Sequence, residues 1–240
     1  MNQSEILKAQ SPAALAEEYI VKSIWNHHFP AGSDLPAERE LADIIGVTRT
    51  TLREVLQRLA RDGWVNIQHG KPTRVNNIWE TAGPNIIHTL IGLDESITPT
   101  IISNVVSLRT RMGEYFIPEA IKADYRASAL LLQDLDQLQD TAKAYAEFDY
   151  KLYHDFTFIA NKPVYGLILN SFKDLYLKTA SLFFSNPNSR QLSFAFYQAL
   201  RTACETNDDQ KAVECLAISR QRSTEIWAQM LKNLPSNFGE

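Results

Sequence analysis

The stretch between Gly46 and Gly63 constrains the fold of this chain more than any other. Placed on a helix that turns about 100° per residue, Leu52, Val55, Leu56 and Leu59 fall within one arc of about 100°. Thr50, Arg53, Glu54 and Gln57 fall on the opposite side, with Arg49 at the start of the same helix. A helix from Thr48 to Arg61 therefore packs by one face and presents Arg49, Thr50 and Arg53 outward near its N-terminal end. Gly46-Val47 before it is a tight corner, since glycine takes the positive φ that a sharp turn between helices needs. Asp62-Gly63 stops it.

The neighbouring segments complete a pattern around that helix. Ser11 to Phe29 reads as a helix with Ser11 as N-cap, Pro12 at the first position and Glu17 and Glu18 early. Its apolar positions are Leu15, Tyr19, Ile20, Ile24 and Trp25, and Pro30-Ala31-Gly32 breaks it. Pro36 to Ile45 is a short second helix burying Leu41, Ile44 and Ile45. After Gly63, Trp64 to Ile67 and Pro72 to Val75 flank Gln68-His69-Gly70-Lys71, a hairpin with glycine at its tip. Helix, helix–turn–helix and hairpin make a winged helix with a small β-hairpin wing. From Trp79 to Leu234 the apolar spacing is three and four, without strand alternation. Breaks near Gly83-Pro84, Asp94 to Pro99, Lys122 to Arg126, Asn161 to Pro163, Asn186 to Asn188 and Thr206 to Asp209 predict six or seven helices. The fold class is mainly α, with a winged helix-turn-helix domain over 1–76, a linker at about 76–83 and an all-α antiparallel bundle over 84–240.

Bulk properties exclude more than they assign. No run approaches the roughly 18 apolar residues that a membrane span needs. Met1 to Gln10 is polar and lacks a basic-then-apolar export pattern, and Cys204 and Cys215 read as free thiols, so a cytoplasmic protein is expected. No P-loop, glycine-rich dinucleotide turn, nucleophile elbow or zinc ligand set is present, and no enzyme activity is expected. The net charge of −4 does not point to nucleic acid, but its distribution does. Between residues 39 and 74, Arg39, Arg49, Arg53, Arg58, Arg61, Lys71 and Arg74 outnumber Glu40, Asp43, Glu54 and Asp62. A basic patch local to the winged helix suits duplex binding by that segment alone.

The outward face of the third helix suits such a role, since arginine pairs with guanine O6/N7 and threonine with phosphate oxygens or a thymine methyl. Taken alone it is equally a solvated face whose arginines pair with Glu54 and Asp62. The slim basic tip His69-Gly70-Lys71, able to enter a minor groove or lie on phosphate, tips the reading toward DNA. Thr48 and Thr51 double as helix caps and are not specific evidence.

The runs Leu35-Pro36-Ala37-Glu38-Arg39-Glu40-Leu41-Ala42, Val47-Thr48-Arg49-Thr50-Thr51-Leu52-Arg53-Glu54-Val55-Leu56 and Leu59-Ala60-Arg61-Asp62-Gly63-Trp64 resemble the GntR superfamily of bacterial regulators. Thr48 to Arg53 and Gln68 to Thr73 are similar to its branch of fatty-acid-metabolism regulators, and the resemblance continues through Asn161 to Asn170 and Glu225 to Trp227 to Lys232-Asn233-Leu234-Pro235. It implies DNA contacts at Arg39, Thr48, Arg49, Thr50, Thr51, Arg53, His69, Gly70 and Lys71. It implies a homodimer on palindromic double-stranded operator DNA, repressing fatty-acid degradation genes and activating unsaturated fatty-acid synthesis genes. It implies release from DNA when long-chain acyl-CoA binds the helical domain, at or near Arg109, Tyr153, Tyr176, Tyr197, Ser223, Trp227 and Lys232. Arg109 and Lys232 carry the right charge for CoA phosphates.

Many helical domains of this superfamily hold a metal with one Asp and three His. By resemblance the Asp is Asp149, while the His positions hold Tyr153, Tyr197 and Ser219, and His154 is one residue out of register. No metal and no cofactor are expected, and Asp149 reads as hydrogen-bonded structure. Aromatics from Phe148 to Trp227 read by themselves as core rather than as lining for an acyl chain; the resemblance favours lining. The chain departs from the branch at Ser219-Arg220, where Tyr-Gly is usual, at Arg222 in place of Glu and at Phe183 in place of Tyr. A weaker ligand response, or a regulator answering another small organic acid, remains the alternative; the missing histidines count against a small acid.

Overall fold

A computed structural model of the chain describes residues 10–234 and Phe238. The polar run expected at Met1 to Gln10 lies, up to residue 9, outside the described residues. The chain divides into two compact units, the first ending at Ile86 and the second beginning at Ile87.

In the first unit, α1 (Pro12–Trp25) starts where the Ser11 hydroxyl accepts from the amide of Ala14. It ends four residues before the expected Phe29, because His27 takes a positive φ of 59°. Its buried face is Ala16, Ile20, Val21 and Ile24, whereas Leu15 and Tyr19, expected inside, are exposed. The second helix, α2 (Glu38–Ile45), buries Leu41 as expected, but with Ala42 rather than Ile44, which is 54% exposed. Gly46 closes α2 in the left-handed conformation at φ 80°. Then α3 (Arg49–Arg61) begins, with the Thr48 hydroxyl accepting from the Thr51 amide, and it buries Leu52, Val55, Leu56 and Leu59.

Strands β1 (Val65–Asn66) and β2 (Arg74–Val75) pair antiparallel, with Val65 opposite Val75 and Asn66 opposite Arg74. The hairpin gains a third edge from the break after α1. Gly32 N donates to Val75 O, Val75 N to Ser33 O and Leu35 N to Thr73 O, each at 2.8 Å. The segment expected as a linker is instead folded onto this unit. It forms α4 (Ile78–Thr81), the Thr81 hydroxyl donates to Gly63 O at 2.7 Å, and Asn85 Nδ2 donates to Asp62 at 3.1 Å.

The second unit is all-helical, with α5 (Ile87–Leu93), α6 (Thr98–Ala123), α7 (Tyr125–Leu130), α8 (Ala142–Ile159), α9 (Pro163–Ser171), α10 (Lys173–Ser185), α11 (Pro187–Glu205) and α12 (Asp209–Lys232). Side-chain caps from Asp124, Thr141, Asn186 and Asp208 start α7, α8, α11 and α12 at breaks that lie in or beside the expected ones, except at Thr141. Two interruptions carry no Gly or Pro and were not expected: Phe172 between α9 and α10, and residues 131–141 between α7 and α8. There Leu132 and Leu135 are fully buried, so the chain bends without leaving the core. Helix α6 packs on α8 and α12, α8 on α9 and α10, and α11 on α12. No helix among the described residues is long and apolar enough to cross a membrane.

Candidate functional site

Two surfaces in the two units carry the chemistry. On the first, the apolar stripe of α3 is spent on the core, which leaves Arg49, Thr50 and Arg53 exposed on its other face. Thr48 and Thr51 hold the start of the helix, with 2.9 Å between their hydroxyl oxygens. Arg39 is exposed on α2, and His69, Gly70 and Lys71 are exposed at the hairpin tip. Arg53 does not pair with Glu54: its Nε donates to Glu38 Oε2 on α2 at 2.7 Å. Arg61 pairs with Asp62 and Arg58 with Glu17. Glu38 was not singled out in the sequence, because its partner lies fifteen residues away; the only hint was a carboxylate opening a helix that faces an arginine-bearing one.

The second surface is a cleft between α6, α8, α10, α11 and α12, of about 630 Å³ including its open mouth. Val105, Val106, Ala180, Phe183, Phe184, Phe196 and Trp227 make its walls, with Trp227 stacked on Phe183 at 4.6 Å between ring centroids. Ser193, Ser219 and Ser223 lie along α11 and α12, and the buried Thr179 hydroxyl beside them has no hydrogen-bond partner among the described residues.

The polar end of the cleft is a closed network built on Asp149. Arg109 Nη2 donates to both carboxylate oxygens, at 2.7 and 2.5 Å. The hydroxyl of Tyr176 donates to Oδ2 at 2.5 Å, and that of Tyr197 to Oδ1 at 2.7 Å. Arg109 Nε donates back to the Tyr176 oxygen at 2.8 Å, so this phenol is both acceptor and donor. Tyr153, one turn after Asp149 on α8, lies under the guanidinium, 3.6 Å from ring centroid to Arg109 Cζ. Its ring occupies a notch at Gly113, where a Cβ would stand 2.4 Å from the Tyr153 Cε1. Gly113, one turn beyond Arg109, was missed in the sequence; the Arg-x-x-x-Gly spacing on one helix face was its only signal.

Electrostatics follow from burial. Burial pushes the Tyr153 phenol up to about 12, and Tyr176 and Tyr197 well above the usual tyrosine range, with the Asp149 charge adding to the rise for each. Burial works against the Arg109 charge, but Asp149 and the surrounding tyrosines outweigh it and hold the guanidinium charged.

The structure thus brings together Arg109, Tyr153, Tyr176, Ser223 and Trp227 around the cleft. Tyr197 stands behind Asp149 rather than on the cleft wall. Arg109 departs from the expected role: committed to Asp149, it is an internal counter-ion rather than a free contact for CoA phosphates. Lys232 is exposed in the last turn of α12 and is not among the cleft residues. Asp149, Tyr153 and Ser219, three of the positions compared with a metal set, do line one cleft, but the Asp149 carboxylate is taken up by an arginine and two phenols. Arg220, where glycine is usual, pairs with Glu114 of α6 at 2.9 Å.

A winged helix with an exposed arginine face, joined in one chain to a helical domain enclosing an apolar cleft, defines a two-domain DNA-binding regulator. Comparison with known proteins narrows the class. Residues 12–75 match the gntR family of bacterial regulatory proteins, and residues 76–239 match the FadR C-terminal domain. The chain is 56% identical over 239 residues to the fatty acid metabolism regulator protein of Pasteurella multocida, covering 100% of this chain and 99% of the relative. The protein of that name from Yersinia pestis is 48% identical over 235 residues, with 98% of each chain covered. Lar, described as controlling the Listeria monocytogenes agr system, shares the fold at 14% identity with a TM-score of 0.53, over 95% of this chain and 100% of Lar. The chain belongs to the GntR family, among its fatty acid metabolism regulators, and is a DNA-binding transcriptional regulator rather than an enzyme.

Proposed function

We propose that this protein is a cytoplasmic homodimer that binds palindromic operator DNA and leaves it when long-chain acyl-CoA enters the helical cleft. In that role it represses fatty-acid degradation genes and activates unsaturated fatty-acid synthesis genes. The carrying observation is the cleft itself: walls of valine, alanine, phenylalanine and tryptophan with a short row of serines, ending on a polar network that is already satisfied. An acyl chain needs such apolar walls. A small organic acid needs a free cationic partner, and Asp149 already occupies Arg109. On the DNA side, α3 supplies Arg49, Thr50, Thr51 and Arg53 to the major groove, with Thr48 at its cap and Arg39 beside it. The His69-Gly70-Lys71 tip supplies the minor-groove or phosphate contact. One such head reads one half-site, which is why a dimer on a palindrome is the expected unit.

The test is a mobility-shift titration on a palindromic operator with and without oleoyl-CoA, paired with calorimetry using oleoyl-CoA and a dicarboxylate. Release by oleoyl-CoA at micromolar concentration is expected, with no heat from the dicarboxylate. Tight dicarboxylate binding without acyl-CoA binding rejects the effector assignment and leaves the DNA assignment standing.

A further inference from the structure

We propose that Glu38 is a positioning and specificity residue for DNA reading: it holds Arg53 by its inner edge, leaving the outer edge of the guanidinium free for a base. The proposal rests on the reading of α3 as the recognition helix. A guanidinium has five N–H donors on two edges. Glu38 Oε2 takes the Nε–H at 2.7 Å, and neither terminal nitrogen of Arg53 has a partner among the described residues. Those two terminal nitrogens, or one of them with a bridging water, are what reaches guanine O6 and N7.

Stability does not account for the pair. Its side chains are 61% and 36% exposed, and an ion pair in that setting contributes little to folding. Its geometry does something else. Glu38 opens α2 and Arg53 lies one turn into α3, so the pair fixes a long, four-torsion side chain relative to both helices of the helix–turn–helix. An arginine fixed before binding loses less conformational freedom when it meets its base. The carboxylate also acts by its charge. It cancels Arg53 as a source of sequence-independent attraction to phosphate, and it stands where a misplaced backbone phosphate is repelled. Among the described residues Arg49 has no such partner, so of the two arginines on this face only Arg53 is held in place before DNA arrives.

The experiment uses the full chain, the duplex it enriches from a randomised pool, and a random-sequence duplex of equal length. Glu38→Ala is expected to bind the random duplex about threefold tighter. The same variant is expected to lower the ratio of selected to random affinity by about tenfold. Glu38→Gln keeps an acceptor for the Nε–H but not the charge, so it tightens random binding as Ala does and retains most of the preference for the selected duplex. In Arg53→Ala, adding Glu38→Ala changes the ratio no further. Equal changes on both duplexes, no change on either, or a Gln variant as unselective as Ala would each overturn the proposal; a melting temperature within a few degrees of the parent's is the control for folding. Failure of the parent chain to enrich any duplex overturns the DNA-reading assignment beneath it, whereas enrichment with an unaltered ratio in Glu38→Ala overturns the role of Glu38 alone.

Discussion

The two units solve opposite problems with charge. In the first, the core is Ile20, Leu41, Leu52, Leu56, Leu59 and Trp64, and every arginine of α3 lies at its surface or half-buried. In the second, an arginine and an aspartate are drawn inside, with Asp149 only 5% exposed. A surface charge costs little and is free to meet a partner. An internal charge must be matched completely, and here one carboxylate receives a guanidinium and two phenols. The first arrangement makes a reader of DNA; the second makes a rigid, polar end to an apolar cleft.

The largest effect that separates the two is Asp149→Ala. It leaves Arg109 charged and buried without a counter-ion, and breaking a buried pair from one side costs about 3–5 kcal/mol. Urea unfolding followed by circular dichroism should show that loss, while Arg109→Met with Asp149→Leu, which removes both charges, should recover most of it. A loss under about 1 kcal/mol in Asp149→Ala would mean that the network is decoration on an apolar core.

Alkali should strike the same unit by a second route. The Tyr153 phenol is raised from 10.0 to about 12, and Tyr176 and Tyr197 are raised as well. A raised folded value means that stability is complete below pH 10 and is lost as pH climbs toward 12. The loss from Tyr153 alone is on the order of 2–3 kcal/mol. Hydrogen exchange resolved by peptide should show α6, α8, α10 and α11 opening in that window before α2 and α3 do. Simultaneous opening of both sets would erase the distinction between the units.

The first unit is tested by Arg49→Ala, which should cost about 1–3 kcal/mol of operator binding with an unchanged circular dichroism spectrum. Normal operator binding by that variant would remove α3 as the recognition helix.

These contrasts also explain what the sequence could show. The head was legible because its logic is local: Thr48 caps α3, Gly46 turns the corner, and the stripe of Leu52, Val55, Leu56 and Leu59 fixes which residues face out. Where the reading slipped, burial was decided by neighbours rather than periodicity. Leu15 and Ile44 keep helical spacing, yet α1 buries Ala16 and α2 buries Ala42 in their place, since a small side chain lets two helices approach closely. The polar network of the helical unit was not legible as a unit, because Arg109, Asp149, Tyr176 and Tyr197 come from four helices, with separations of 27, 40, 48 and 67 residues between bonded members. Each was named for other reasons, and Asp149 was correctly read as hydrogen-bonded, but nothing in their spacing shows that one carboxylate joins them. The linker was misjudged for a similar reason: Asn76-Asn77 looks like a polar break, yet Asn76 Nδ2 donates to Gly63 O at 3.0 Å and Asn77 caps α4.

The smallest effect is the most diagnostic of what the hairpin tip does. Lys71 is exposed beyond the end of β1 and, unlike Arg53, Arg58 and Arg61, forms no ion pair among the described residues. If it neutralises one phosphate, Lys71→Ala releases about one counterion fewer. The slope of log affinity against log salt should then fall by about 1, equally for operator and random duplexes. A base contact behaves differently, weakening operator binding with little change in slope. Arg49 and Lys71 should therefore separate on one plot, Arg49→Ala moving the operator line alone and Lys71→Ala tilting both. Should Lys71→Ala instead cost selectivity at constant slope, the wing reads sequence rather than charge, and the division of labour between α3 and the hairpin has to be redrawn.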